Sequence, residues 1–138
     1  MSTLLLRLAG PLQAWGIDSK FETRRTGREP SKSAVAGMLA AALGRKRDQP
    51  LDDLCSLRFG VRVDKEGELL HDYHTVRSKS GKPYVTHRYY LSDATFLVGL
   101  ESEDEIWLKT LKQALLNPVF PLFLGRRSCV PTLPIVVG

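Results

Sequence analysis

Cysteine is scarce: Cys55 and Cys129 are the only two in 138 residues. They provide neither a disulfide framework nor a Cys-x-x-Cys metal site, and they suit a reducing cytoplasm. Histidine is scarce too, at three residues, with no His-x-x-x-His spacing and no acidic pair to mark a metal centre. No metal and no cofactor is therefore expected. Apolar runs stay far below the roughly 20 residues that span a bilayer. Arg7 interrupts the short apolar stretch near the start and no cleavage signature follows, which argues against a signal peptide and a membrane partner. Internal repeats, low-complexity segments and the Gly-x-x-x-x-Gly-Lys-Ser phosphate loop are missing as well. What is present is an ordinary globular composition, 43% hydrophobic and 25% charged, in a length that fits one domain, residues 1–138. Twenty Lys and Arg against fifteen Asp and Glu leave a formal charge of +5, which favours a polyanionic partner.

Residues 3–9 alternate, with Leu4, Leu6 and Leu8 on one face and Thr3, Leu5 and Arg7 on the other, so a strand opens the fold and ends at Gly10-Pro11. Residues 11–30 lack a period and read as a long surface loop carrying Trp15 and Phe21. Val35, Met38, Leu39, Ala42 and Leu43 then recur at helical spacing, with Ser31 or Ser33 to cap the start and Gly44 to end it. A strand over 57–63 is expected to point Leu57, Phe59, Val61 and Val63 inward and Arg58 and Arg62 outward. Residues 69–92 read as a hairpin with its tip at Ser78-Lys79-Ser80-Gly81-Lys82-Pro83. Ala94, Phe96, Val98 and Leu100 mark another strand. Ser102 and Glu105 form a capping box for a helix burying Trp107, Leu108, Leu111, Ala114 and Leu115. With the hairpin set aside, the order is β-α-β-β-α-β. The expected class is α+β, a ferredoxin-like (RRM-like) domain with a protruding β-hairpin, a topology that hosts many unrelated functions.

Three clusters could carry chemistry. Arg24, Arg25 and Arg28 precede Ser31, Lys32 and Ser33 at a helix start, where free N–H groups, hydroxyls and guanidinium groups favour a phosphate. A solvated basic loop with an ordinary serine cap is the plain alternative. The hairpin interleaves His71, Tyr73, His74, Arg77, Lys79, Lys82, Tyr84, His87, Arg88, Tyr89 and Tyr90, cations for phosphates and rings for unstacked bases. Here the alternative is a soluble strand pair in which tyrosine simply fits the sheet. Gly125, Arg126, Arg127 and Ser128 form the third cluster, a turn with two guanidinium groups or merely a surface turn. His74 or His87 with Tyr73 and Lys79 also supplies the residue types of a metal-independent ribonuclease. The strands over 4–9 and 57–63, expected at the sheet centre, offer Leu5, Arg7, Arg58 and Arg62 where RNA-recognition sheets carry aromatics. RNA should accordingly be gripped by loop, hairpin and turn.

The segment Leu6-Arg7-Leu8-Ala9-Gly10-Pro11-Leu12-Gln13-Ala14-Trp15-Gly16 resembles the opening of the CasD family of type I-E CRISPR surveillance complexes (Cascade). The likeness continues at Thr26-Gly27-Arg28, Ser31-Lys32-Ser33, Asp72-Tyr73-His74-Thr75-Val76, Tyr90-Leu91-Ser92-Asp93-Ala94 and Leu124-Gly125-Arg126-Arg127-Ser128-Cys129. The resemblance implies a modified ferredoxin-like domain that caps one end of the complex and holds the five-prime handle of crRNA. The hairpin at about 70–92 would be the family's thumb, which bends the RNA where handle meets spacer. Partners implied are the repeated Cascade backbone subunit, the large Cascade subunit and, through the complex, target DNA paired with the guide. The implied role is non-catalytic and cytoplasmic. A type I-C relative cleaves precursor RNA with a tyrosine and an adjacent lysine and histidine, but this sequence has Thr86-His87. Two features depart from what the resemblance leads one to expect: only Ser78 to Tyr84 separates the thumb arms, and the sequence stops at Ile135-Val136-Val137-Gly138, where family members usually continue into a further C-terminal portion.

The expected RNA-binding set is therefore Arg24, Arg25, Arg28, Ser31, Lys32, Ser33, His74, Arg77, Lys79, Lys82, Tyr84, Arg88, Tyr89, Gly125, Arg126, Arg127 and Ser128. The alternatives are an endoribonuclease acting on CRISPR repeat RNA and a small subunit that touches only protein.

Overall fold

The structure, a computed structural model, describes the chain apart from residues 1, 16–22, 25–26, 47, 78–80, 82 and 127, and gives only the backbone at 23–24, 73–74, 76–77 and 83–87. In chain order the elements are β1 (Ser2–Ala9), β2 (Leu12–Gln13), β3 (Thr23–Arg24), α1 (Lys32–Leu43), α2 (Asp52–Cys55), β4 (Arg58–Lys65), β5 (Glu68–Arg77), β6 (Pro83–Ser92), β7 (Thr95–Ser102) and α3 (Glu105–Leu116).

The period-2 pattern of β1 buries Leu4, Leu6 and Leu8, and Phe96, Val98 and Leu100 of β7 meet them on the same side. The two strands pair antiparallel from Ser2↔Ser102 to Ala9↔Thr95. On its other edge β7 pairs antiparallel with β4, from Arg58↔Glu101 to Val63↔Phe96, before a register shift at Lys65. The path β1-β7-β4 corrects the expected layout, because β7 and not β4 lies at the centre. As an outer strand β4 is only half covered: Phe59 and Val61 are half-buried, and Val63, expected inward, is 42% exposed. The C-terminal segment runs along the free edge of β1, with Arg7 N–H donating to Ile135 O at 2.7 Å and Val137 N–H to Leu5 O at 3.0 Å.

α1 and α3 bury Val35, Met38, Leu39, Leu108, Leu111 and Leu115 in one cluster with the inner sheet residues. Ser31 caps α1, its Oγ accepting from Ala34 N–H at 3.2 Å, and Gly44 ends the helix at φ +79°. The start of α3 differs from expectation. Asp104 is the cap, accepting from Trp107 N–H at 3.1 Å, while Ser102 Oγ accepts from Asp104 N–H at 3.1 Å. Glu105 instead accepts from the Ser2 hydroxyl at 2.7 Å, so the expected reciprocal box does not form.

A second, four-stranded sheet is organised around β6. β5 pairs antiparallel with it from Glu68↔Ser92 to Arg77↔Pro83, β2 joins antiparallel at Leu12↔Ser92, and β3 joins parallel at Thr23↔His87 and Arg24↔Arg88. The expected surface loop over 11–30 is thus partly interior. Gln13, Ala14 and Trp15 are buried, Ala14 and Trp15 in the hydrophobic core, and the Gln13 amide is satisfied there, donating to Ala94 O at 2.8 Å and accepting from Trp15 Nε1 at 3.0 Å. The result is a mixed α and β architecture built on antiparallel sheets.

Candidate nucleic-acid interface

β6 brings the separate clusters together. β3 lays the backbone of Arg24 beside Arg88. Arg126 reaches the next residue of the strand, donating from Nη1 to Tyr89 O at 3.2 Å, and its guanidinium lies 4.9 Å from the Tyr90 ring centroid. Arg28 donates to Gly67 O at 3.4 Å, immediately before β5 begins. The basic loop and the Gly-Arg turn therefore both contact the lower half of the β5–β6 ribbon, Arg28 at the residue that leads into it and Arg126 at Tyr89. Lys32 and Ser33 stand exposed at the start of α1, whose first turn holds no acidic residue, so the helix dipole and Lys32 both favour an anion there. The Ser31 and Ser33 hydroxyls lie 3.4 Å apart.

Several cations away from this region are already neutralised. Arg45, Arg58, Arg62 and Lys65 each sit in an ion pair, with Asp53, Glu101, Asp64 and Asp93 respectively. Among the described residues, Arg28, Lys32 and Arg88 pair with no carboxylate. Arg88 is half-buried, and its Nε is buried without a hydrogen-bond partner. An unused donor on a partly desolvated cation favours binding of an anionic or carbonyl acceptor.

Gly125 has a structural task. Its φ is +89°, and a Cβ there would overlap the Ala14 carbonyl oxygen. The close approach is thus to the chain's own β2 region, where Ala14 N–H donates to Leu124 O at 3.1 Å. The turn closes through Leu124 N–H to Cys129 O at 2.7 Å and Cys129 N–H to Arg126 O at 2.9 Å. Burial pushes the Cys129 thiol up, against the opposing pulls of a Ser128 hydrogen bond and the Arg126 charge. Ser128 is exposed.

Tyr89 is half-buried and stacks on His71, its partner across the strands, with centroids 4.5 Å apart and planes 7° from parallel. Of the expected set, His74, Arg77 and Tyr84 lie on the ribbon with only their backbone described, and Arg25, Lys79, Lys82 and Arg127 fall outside the described residues. His71 is absent from that set, although the register opposite Tyr89 was readable once the hairpin tip was placed. Among the described residues no group of three or more His, Cys, Asp or Glu could hold a metal, and no helix is long and apolar enough to cross a membrane. A cleft of about 850 Å³ between α1 and residues 120–123, with Lys46 on its wall, shares no lining residue with these basic clusters.

The CRISPR-associated protein (Cas_Cas5) family matches residues 3–137. This chain belongs to the Cas5 family. The CRISPR system Cascade subunit CasD of Escherichia coli (strain K12) is 39% identical over 160 residues, covering 99% of this chain and 70% of CasD. A solved chain described as belonging to a CRISPR RNA-guided surveillance complex superposes with a TM-score of 0.88 at 40% identity, over 98% of this Cas5 chain and 62% of that one. Another, a crystal structure of a Cas protein, gives a TM-score of 0.79 at 50% identity, over 99% and 63%. The chain therefore spans a little under two thirds of the solved chains it matches. The resemblance to CasD read from the sequence motifs is borne out by these matches.

Proposed function

We propose that this Cas5 chain is a non-catalytic, cytoplasmic subunit of a type I-E CRISPR surveillance complex that binds and caps the five-prime handle of crRNA. The names of its relatives support membership of such a complex. The observation that carries the RNA reading is that Arg28, Arg88 and Arg126, from three separate sequence clusters, all lie on or bond to the β5–β6 ribbon and the residue that leads into it. We read the domain as one ferredoxin-like βαββαβ unit. Support comes from the antiparallel path β1-β7-β4, the C-terminal segment on the far edge of β1, and the helices that follow β1 and β7. The β5–β6 ribbon, inserted between β4 and β7, is then the thumb. The remaining RNA contacts are assigned to Arg24, Arg25, Ser31, Lys32, Ser33, His74, Arg77, Lys79, Lys82, Tyr84, Tyr89, Arg127 and Ser128, with Gly125 shaping the turn. The repeated backbone subunit and the large subunit are its protein neighbours, and target DNA is reached through the complex.

Labelled CRISPR-repeat RNA incubated with the purified chain in EDTA tests this. A retarded band with intact RNA supports the proposal. Site-specific cleavage would make His74 or His87 the base of a ribonuclease, and absence of binding at low salt would leave a subunit that touches only protein.

A further inference from the structure

β4 is an edge strand, and among the described residues β7 is the only strand it pairs with. Its outer edge therefore offers a row of backbone N–H and C=O groups to another strand. The apolar inner face also runs on past the fold's own cover. Phe59, Val61 and Val63 lie in register with the buried Leu100, Val98 and Phe96, yet the first two are only half-buried and Val63 is 42% exposed. The opposite face carries Arg58, Gly60 and Arg62, with Asp64 accepting from Arg62 Nε at 2.6 Å. Among the described residues, a Cβ on Gly60 would meet nothing within 4 Å.

This strand is complementary to itself when turned end for end. With Val61 on a two-fold axis perpendicular to the sheet, the inner faces of two copies stay on the same side, so Val61 meets its counterpart and Phe59 meets the second copy's Val63. On the outer face Arg58 meets the second copy's Asp64, and Arg62 meets the bare Gly60. Asp64 then lies between its own Arg62 and the second copy's Arg58. Sliding the joint by two residues either way sets Arg58 against Arg62, or Arg62 against its counterpart, so charge selects this register.

We propose that β4 is a self-association edge: two copies of the chain pair antiparallel over residues 58–64 and join their β1-β7-β4 sheets into one. The contact is isologous, since each residue finds in the second copy the partner it offers. None of these residues belongs to the RNA-binding set, so the pairing stands independently of that reading. One strand ladder with a few apolar pairs is a small interface, so the association is weak and reversible and shows at high protein concentration.

Sedimentation velocity of the purified chain over a dilution series should show monomer and dimer in exchange. Gly60→Arg sets a guanidinium group against the second copy's Arg62 and removes none of the chain's own ion pairs. It should weaken dimerisation about tenfold or more, because the two-fold axis makes one substitution act twice. Arg58→Glu and Asp64→Lys each place like charges across the joint, and each alone should be monomeric. Mixed in equal amounts, the two variants oppose unlike charges at both ends of the joint and should regain most of the wild-type affinity. A wild type that stays monomeric at every concentration, a Gly60→Arg variant that dimerises like wild type, or a mixture no tighter than either variant alone would each overturn the pairing.

Discussion

Two residues show how far a side chain's role depends on distant partners. Gln13 is fully buried, and its amide serves the Trp15 indole and the Ala94 carbonyl at once. Gln13→Leu should keep the volume but strand a buried donor and acceptor, lowering stability by about 2 kcal/mol in urea unfolding. Gly125 was readable as a special position, since glycine beside two arginines marks a tight turn. Its actual constraint is the Ala14 carbonyl, which leaves no room for a Cβ at a positive φ. Gly125→Ala should cost about 2 kcal/mol or more through strain and displacement of the turn. It should also weaken RNA binding by moving Arg126. The sequence shows that glycine is there; the contact it permits lies more than a hundred residues away.

Elements were legible where their determinants are local. α1 starts at Ser31 and ends at Gly44 because a hydroxyl cap and a left-handed glycine act within a few residues. The start of α3 was misread because Ser102 and Asp104 both offer cap oxygens, and the backbone places Asp104 in the cap. Residues 13–15 were misread because their burial comes from core packing and from contacts with Ala94 and Leu124, invisible to periodicity. The link between α1 and α2 makes a prediction at this scale. Arg45, just past α1, bonds both carboxylate oxygens of Asp53 in α2, at 2.6 and 2.5 Å. That hydrogen bonding, more than the opposing burial, holds the Asp53 carboxyl below its ordinary value. A depressed carboxylate pKa contributes stability above the ordinary range, and the contribution is lost as pH falls through the folded value. The Asp53 side chain is 48% exposed, so solvent screens the pair and the effect is small. Unfolding midpoints measured from neutral to acid pH should fall less steeply in Asp53→Asn than in the wild type, and parallel profiles would remove the pair from the pH response.

At the scale of the whole molecule the net charge of +5 matters less than where the cations are free. β4 neutralises its cations in ion pairs and Arg45 is paired with Asp53, whereas Arg28, Lys32 and Arg88 are in no ion pair among the described residues. If about four phosphates are held, the logarithm of affinity should fall against log salt with a slope near −3, from about −0.7 per single-strand contact. Replacing Arg24, Arg25 and Arg28 together by alanine should reduce that slope by about 2 in anisotropy titrations, and an unchanged slope would take the loop out of the site. By itself the sequence determined the alternating and helical core positions, the caps of α1, the excess of cations and the motifs shared with CasD, because each is written in neighbouring residues or a fixed spacing. Only the tertiary structure decided that β7 is central, that Gln13 and Trp15 are interior, and that β6 brings Arg24 and Arg126 to Arg88 and Tyr89. Strand pairing and buried hydrogen bonds join residues far apart in the chain, and no local pattern carries that information.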